Sequence, residues 1–395
     1  MSPDGFVVIN KPAGWTSHDV VAKCRWLAGT RKVGHGGTLD PMATGVLVVA
    51  VGKATKLLTY VSGSDKSYTA TIRLGIGTIT DDAEGEVTEA PGFVLGPPEP
   101  DPPGHPAGAV STLGHPAGSV SPARHPAGAV STLGHPTGAD SSPRHPAGSG
   151  GASQDLYPAL TAAIAQLTGN ILQVPSAVSA IKVDGKRSYA RVRAGQDVEL
   201  APRPVTVSAF DVLGIRPTQA QVECPEPQHG VGILQTVELG EFGRLSQDAQ
   251  RPTVETPVVD IDVSVTVSSG TYVRALARDL GALLGTAGHL TALCRTRVGD
   301  VSLDQARNLD DLIQWAEQNL QTPLETMPMA DAARRYLPVR IITEDEARAL
   351  GFGQWITPTG TPGPHAAITD DDRLAALVED TRRQGKPHAK PVLVF

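Results

Sequence analysis

The chain has 395 residues, 40% of them hydrophobic and 19% charged, with a formal net charge of −7. Those proportions exclude a coiled coil or an acidic disordered polymer and leave a globular enzyme or binding protein, of two or three domains at roughly 150 residues per domain. The longest apolar run, Val46 to Val51, is far too short for a bilayer and the N-terminus has no signal-type apolar core, so a cytoplasmic location is expected.

Phe6 to Asn10 reads as a short buried strand followed by a Lys-Pro-Ala-Gly turn. Thr16 and Ser17 then offer N-caps for a helix over 18–27, closed by Gly29. Val46 to Val51 is a continuous apolar strand. Ser67 to Leu74 alternates, with Tyr68, Ala70, Ile72 and Leu74 on one face, as a half-buried strand should. Residues 91–153 break the pattern, because much of the chain's complement of 42 glycines and 33 prolines is concentrated there. His-Pro recurs at His105, His115, His125, His135 and His145. Such a stretch cannot bury enough apolar surface to offset its ordering entropy, so a disordered insertion in a tolerant loop is expected rather than a metal site. Tyr157 to Leu167 is helical in pattern and ends at Gly169. Residues 215–255 are poorly patterned and predict a long excursion between strands. Val259, Ile261, Val263, Val265 and Val267 make the cleanest strand, running through Ser268-Ser269-Gly270 into a helix that buries Leu276, Leu280, Leu283 and Leu284. The last sixty residues restart at Leu337-Pro338 with a capping box at Thr343 and Glu346. Short strands around 366–368, 374–378 and 391–395 follow, a small and mostly β appendage.

The negative net charge is uneven. Residues 1–80 carry a net +5, and residues 182–193 a net +4 from Lys182, Lys186, Arg187, Arg191 and Arg193 against Asp184. Local basic surface is what phosphate recognition needs, and an acidic remainder can coexist with it. Cys24, Cys224 and Cys294 lie far apart with no C-x-x-C pair, so neither a disulfide framework nor a cysteine-rich zinc site is expected, and the chemistry should need no metal or cofactor.

The densest signal is Gly34-His35-Gly36-Gly37-Thr38-Leu39-Asp40-Pro41-Met42-Ala43-Thr44-Gly45. Its glycines permit tight turns and Pro41 restricts Asp40 to an extended backbone, so a carboxylate is displayed on a stiffened loop before a buried strand. The loop is neither a Walker A nor a Rossmann motif. It resembles the G-H-T-G-x-L-D-P-x-A-x-G signature of the TruB family, the bacterial tRNA pseudouridine-55 synthases. Four further blocks resemble that family in the same order: Gly5 to Ser17 its opening strand and Lys-Pro turn, Lys66-Ser67-Tyr68 the strand with its active-site tyrosine, Val174 to Arg187 its RNA-gripping thumb, and Ser269 to Arg274 the motif with its active-site arginine. Leu293 matches an active-site leucine. Gly36, Asn10, Val178 and Cys294 depart from the family's usual Thr, Asp, aromatic residue and Arg.

The resemblance implies an α/β (α+β) catalytic domain over 1–332 on a mixed, largely antiparallel sheet, interrupted by the 91–153 insertion, with a thumb at 170–196. A C-terminal PUA-like RNA-binding domain occupies 336–395. It implies isomerisation of a T-loop uridine of tRNA by base flipping, by a monomer bound to the T-arm without an obligate protein partner. Asp40, Tyr68 and Arg274 take the catalytic roles. His35, Tyr272, Leu293, Lys182, Lys186, Arg187 and Arg191 take substrate-binding ones, though His35 can equally be a structural imidazole. Asp40 serves as nucleophile or as elimination base. Lys11 and Pro12 read as loop support. A tRNA chaperone without catalysis is the alternative, and the catalytic subunit of a guide-RNA particle is disfavoured by the basic thumb-like segment.

Overall fold

The computed structural model describes residues 4–93, 156–176, 178, 182–183, 186–187, 200–223, 253–319, 322 and 324–395, the side chains of 182–187 excepted. The His-Pro tract expected to be disordered, and most of the thumb, lie outside them. Residues 1–94 and 158–395 form one compact unit.

Among the described residues the main sheet has eleven strands. Eight of them make its spine: β1 (Gly5–Lys11), β2 (Thr44–Val51), β3 (Lys66–Leu74), β4 (Gly169–Gln173), β5 (Arg203–Glu223), β6 (Thr253–Val267), β7 (Gly288–Val298) and β8 (Arg307–Asn308). Their spatial order is β8-β1-β2-β7-β3-β6-β5-β4. Only β1 with β8 and β2 with β7 pair in parallel; the remaining spine pairs are antiparallel, so the sheet is mixed and largely antiparallel. The central strand β2 is buried on both faces, which is why it reads as an unbroken apolar run.

Helix α1 (Ser17–Leu27) begins with the expected cap: the Thr16 hydroxyl accepts from the Asp19 amide, and the Asp19 carboxylate accepts from the Thr16 amide. Helix α2 spans Leu156–Gln166 and α3 spans Val273–Leu283. On α3, Leu276 and Leu280 are wholly buried, each stabilising by roughly 1.5–3 kcal/mol relative to exposure. Leu283, expected in the same row, is the helix's last residue and is 42% exposed, and Leu284, its C-cap, is half-buried. Helix and sheet come close only because Gly288 lacks a side chain: a Cβ there would stand 2.4 Å from the Ala277 carbonyl oxygen.

Residues 215–223, expected as part of an excursion, are strand. They extend β5 in register against β6, from Ile215 opposite Ile261 to Glu223 opposite Thr253. Residues 215–219 are exposed or half-exposed, so nothing imposed alternation there, and only Ala220 and Val222, which pack with Ile76 and Val258, alternate with exposed neighbours. The ends it reaches toward, residues 224–252, lie outside the described part.

The C-terminal residues form a separate four-stranded sheet in the order β9-β10-β11-β12, made of Val339–Ile342, Pro364–Thr369, Leu374–Arg383 and Lys386–Val394. It carries α5 (Glu344–Gly351), capped by the predicted Thr343–Glu346 box. Helix α4 (Met329–Tyr336) lies between the sheets. Its Ala330 and Ala333 join Phe6, Val48, Ile368 and Leu377 in one apolar core, so the appendage shares its packing with β1 and β2.

Candidate active site

The loop before β2 is pinned from several sides. Lys11, fully buried at the end of β1, donates from Nζ to the carbonyls of Pro12 (2.8 Å), Trp15 (2.7 Å) and Pro41 (2.9 Å). The Ser17 hydroxyl receives the Leu39 amide and donates to the Leu39 carbonyl. The Gly14 amide donates to Pro41. Lys11 therefore supports the loop, as expected, and Asp40 stands between fixed neighbours.

Arg274 reaches Asp40 from the first turn of α3. Its Nη2 donates to Asp40 Oδ1 at 3.2 Å, and its Nε lies 3.1 Å from Oδ2, close enough for an ion pair though not aligned as a hydrogen bond. Nη1 meets Asp82 Oδ2 at 3.3 Å and the Thr80 carbonyl at 3.0 Å, while Nη2 also reaches the Val178 carbonyl at 3.2 Å. Asp82 is 2% exposed and braced by the Thr80 hydroxyl and the Glu84 amide. A cation near a helix N-terminus opposes the macrodipole, and here two carboxylates offset that cost.

The register of the sheet supplies the other walls. Strand β7 sets Leu293 opposite Ala70 and Arg295 opposite Tyr68 on β3, with Arg295 opposite Gly45 on β2. Asp40, Tyr68, Tyr272, Arg274 and Leu293 thus line one cavity of about 330 Å³. Tyr68 and Leu293 are each 7% exposed, and among the described residues no group accepts from or donates to the Tyr68 hydroxyl. The Gln173 side chain accepts from the Tyr272 amide and donates to its carbonyl, fixing the turn that delivers α3.

Burial raises the Asp40 carboxyl above its ordinary value, with Arg274 opposing the rise and Asp82 adding to it. Lys66, on the same wall, is lowered to about 8, chiefly by burial, and donates to the carbonyls of Ser62 and Ser64.

Not every expected residue arrives. His35 does not line the cavity: its ring meets His18 edge-on at 5.7 Å between centroids, Nδ1 is buried without a hydrogen bond among the described residues, and burial lowers its pKa. The missing side chain at Gly36 is explained by Val61, whose Cγ1 would stand 2.3 Å from a Cβ there. Lys182–Val183 and Lys186–Arg187 pair as a short antiparallel ladder, and Arg191 lies outside the described residues. Cys294 lies outside the lining of that cavity and borders a second cleft with Met42 and Thr69, which Leu293 also lines.

Sequence reasoning missed Asp82, Lys66 and Arg295. A carboxylate in Thr-Asp-Asp-Ala-Glu has no periodicity to mark it, and the partners of Arg295 lie in residues 37–46, distant in sequence.

A family model described as "TruB family pseudouridylate synthase (N terminal domain)" matches residues 25–94 and 153–227, passing over the His-Pro tract. Two C-terminal models of the same enzymes match 274–332 and 337–395. A protein of Arthrobacter sp. (strain FB24) named "tRNA pseudouridine synthase B" is 44% identical over 400 residues, covering 99% of this chain and 96% of its own. The chain belongs to the TruB family. A Thermobifida fusca (strain YX) protein of the same name is 42% identical, with 99% and 98% coverage. Among solved structures, an H/ACA RNP bound to a substrate RNA matches with a TM-score of 0.55 at 19% identity, over 99% of this chain and 84% of that one, a likeness of fold. For a TruB chain, the pairing of Asp40 with Arg274 at a cavity walled by Tyr68 and Leu293 is the arrangement its motifs implied.

Proposed function

We propose that this chain isomerises the T-loop uridine of tRNA to pseudouridine, with Asp40 as the catalytic residue. The observation that carries the reading is the two-point contact between Arg274 and Asp40 beside a cavity walled by Tyr68 and Leu293, in a chain 44% identical to a named tRNA pseudouridine synthase.

The reaction breaks the bond between C1′ and N1, turns the uracil, and joins C1′ to C5. N1 gains a proton, C5 loses one, and no electrons are exchanged, so the chain's own residues suffice. Asp40 acts in its ionised form, either by attacking the sugar or by removing a ribose proton to drive elimination. Arg274 holds that charge and aims it. Tyr68 stacks on the freed uracil, and its unengaged hydroxyl is available to relay the C5 proton. Leu293 and Tyr272 pack about the base. The uridine must leave its stack to reach this pocket, which costs a few kcal/mol. Lys182, Lys186, Arg187 and Arg191 on the thumb offset that with phosphate contacts, so affinity for tRNA should fall steeply with salt.

On this reading residues 1–332 are the catalytic domain and 336–395 a PUA-like RNA-binding domain, and the protein works as a cytoplasmic monomer on the T-arm. The test is pseudouridine mapping on unmodified tRNA transcripts incubated with the purified chain. A single new pseudouridine in the T-loop is expected. Tight tRNA binding with no pseudouridine anywhere would favour the chaperone, and a product outside the T-loop would refute the proposed target.

A further inference from the structure

We propose that Arg295 is a positioning residue for this isomerisation, clamping both ends of the loop that carries Asp40; the inference rests on the function proposed above. Its guanidinium is spent wholly on backbone carbonyls. Nη2 donates to Gly37 (3.2 Å) and Nη1 to Thr38 (3.2 Å), just before Asp40, while Nε donates to Val46 (2.8 Å), just after the loop enters β2. One rigid planar group thus spans the span of chain that displays the carboxylate, and a planar fork is what such a geometry requires.

The backbone of Arg295 grips the same loop. It stands opposite Gly45 in the parallel pairing of β7 with β2. Gly45 has φ +100°, and a Cβ there would lie 2.2 Å from the Arg295 carbonyl oxygen. A side chain at position 45 would therefore drive the loop off the Arg295 backbone.

The charge is costly to keep where it is. Arg295 is 1% exposed, and among the described residues no carboxylate pairs with it. Burying an uncompensated guanidinium is unfavourable, and an apolar side chain could fill the volume. What no apolar residue supplies is three simultaneous donors to the loop and a positive charge that favours the ionised form of Asp40.

The experiment compares Arg295→Gln and Arg295→Lys with the wild-type chain, measuring tRNA affinity, single-turnover rate and the pH dependence of that rate. Melting temperature and the fraction of active molecules are recorded for each. Both variants should bind tRNA like wild type yet turn over about 10²-fold more slowly per active molecule, the scale expected when a reacting group is displaced by about 1 Å. Gln should also raise the acid limb of the profile, while Lys, keeping the charge, should leave it in place. The other charged groups about Asp40 are retained in both variants: Lys11 from β1 and Lys66 from β3, both of which the charge of Arg295 also holds down, Asp82 and Glu84, and Arg274 from α3. Wild-type rate and an unmoved limb in a folded R295Q protein would overturn the inference. Should R295Q fail to fold, R295K decides alone, and a wild-type rate in it overturns the inference equally. Absence of pseudouridine with the wild-type chain would instead count against the function proposed above.

Discussion

Arg274 holds two carboxylates with one guanidinium, Asp40 at 3.1 Å on one edge and Asp82 at 3.3 Å on another. Asp82 is the buried member and Asp40, with a third of its side chain exposed, the one presented to the cavity. The inner pair fixes the arginine so that the outer pair can fix the reacting group.

Replacing Asp82 by Asn should therefore slow turnover while leaving tRNA binding intact. Loss of one partner from a buried, hydrogen-bonded pair costs about 3–5 kcal/mol, so the midpoint of urea unfolding should fall markedly as well. An unchanged single-turnover rate in a folded Asp82→Asn protein would show that Arg274 needs no inner partner.

The pH dependence follows from the burial of Asp40. Its carboxyl is raised above the ordinary value, and its ionised form is the active one, so activity should be lost on acidification at a higher pH than a normal carboxylate would give. Arg274 opposes the rise, so Arg274→Gln should move the acid limb of kcat/KM upward again. A limb at or below the usual carboxylate range in the wild type would contradict this.

Lys11 is a stability residue. Lys11→Met would leave the carbonyls of Pro12, Trp15 and Pro41 without their donor, a loss of about 3 kcal/mol or more at about 1–3 kcal/mol for each buried unsatisfied group. Burial lowers the folded-state value of Lys11 to about 8, below that of the unfolded chain. Between these values the unfolded chain binds more protons, so this lysine's contribution to stability increases as pH rises through that window. In Lys11→Met that part of the slope should vanish, which urea titrations across the window would show.

Removing residues 95–150 in favour of a short Gly-Ser linker should leave folding and turnover near wild type. The family model resumes at residue 153 after ending at 94, and the site described above draws no residue from the segment. A large fall in melting temperature or in single-turnover rate would assign the tract a structural or catalytic part.

The sequence made the site legible where chemistry sits in a short motif. Asp40 in its glycine-bordered loop, Tyr68 on an alternating strand and Arg274 at a helix start were each identifiable, and sheet register then brought them to one cavity. Asp82 and Arg295 were not, because each gains its meaning from a contact across long sequence separation: Arg274 lies 192 residues from Asp82, and Arg295 lies 258 from Gly37. The ribbon of β5 and β6 was half-legible for a different reason. Its middle, residues 211–219 of β5, is exposed or half-exposed and held by backbone pairing, which leaves the side-chain pattern free, whereas Ala220 and Val222 at the outer end pack with Ile76 and Val258. His35 shows the limit of motif reasoning, since its place in the loop signature does not bring its ring to the cavity.

Asp40 is the group on which the proposed chemistry depends most directly. With tRNA carrying tritium at uridine C5 and enzyme in excess, the wild-type chain should release tritium in a single exponential phase. Asp40→Asn, binding the same tRNA with similar affinity, should release none above background. Release by Asp40→Asn at the wild-type rate would contradict the claim that this carboxylate, held by Arg274, performs the chemistry.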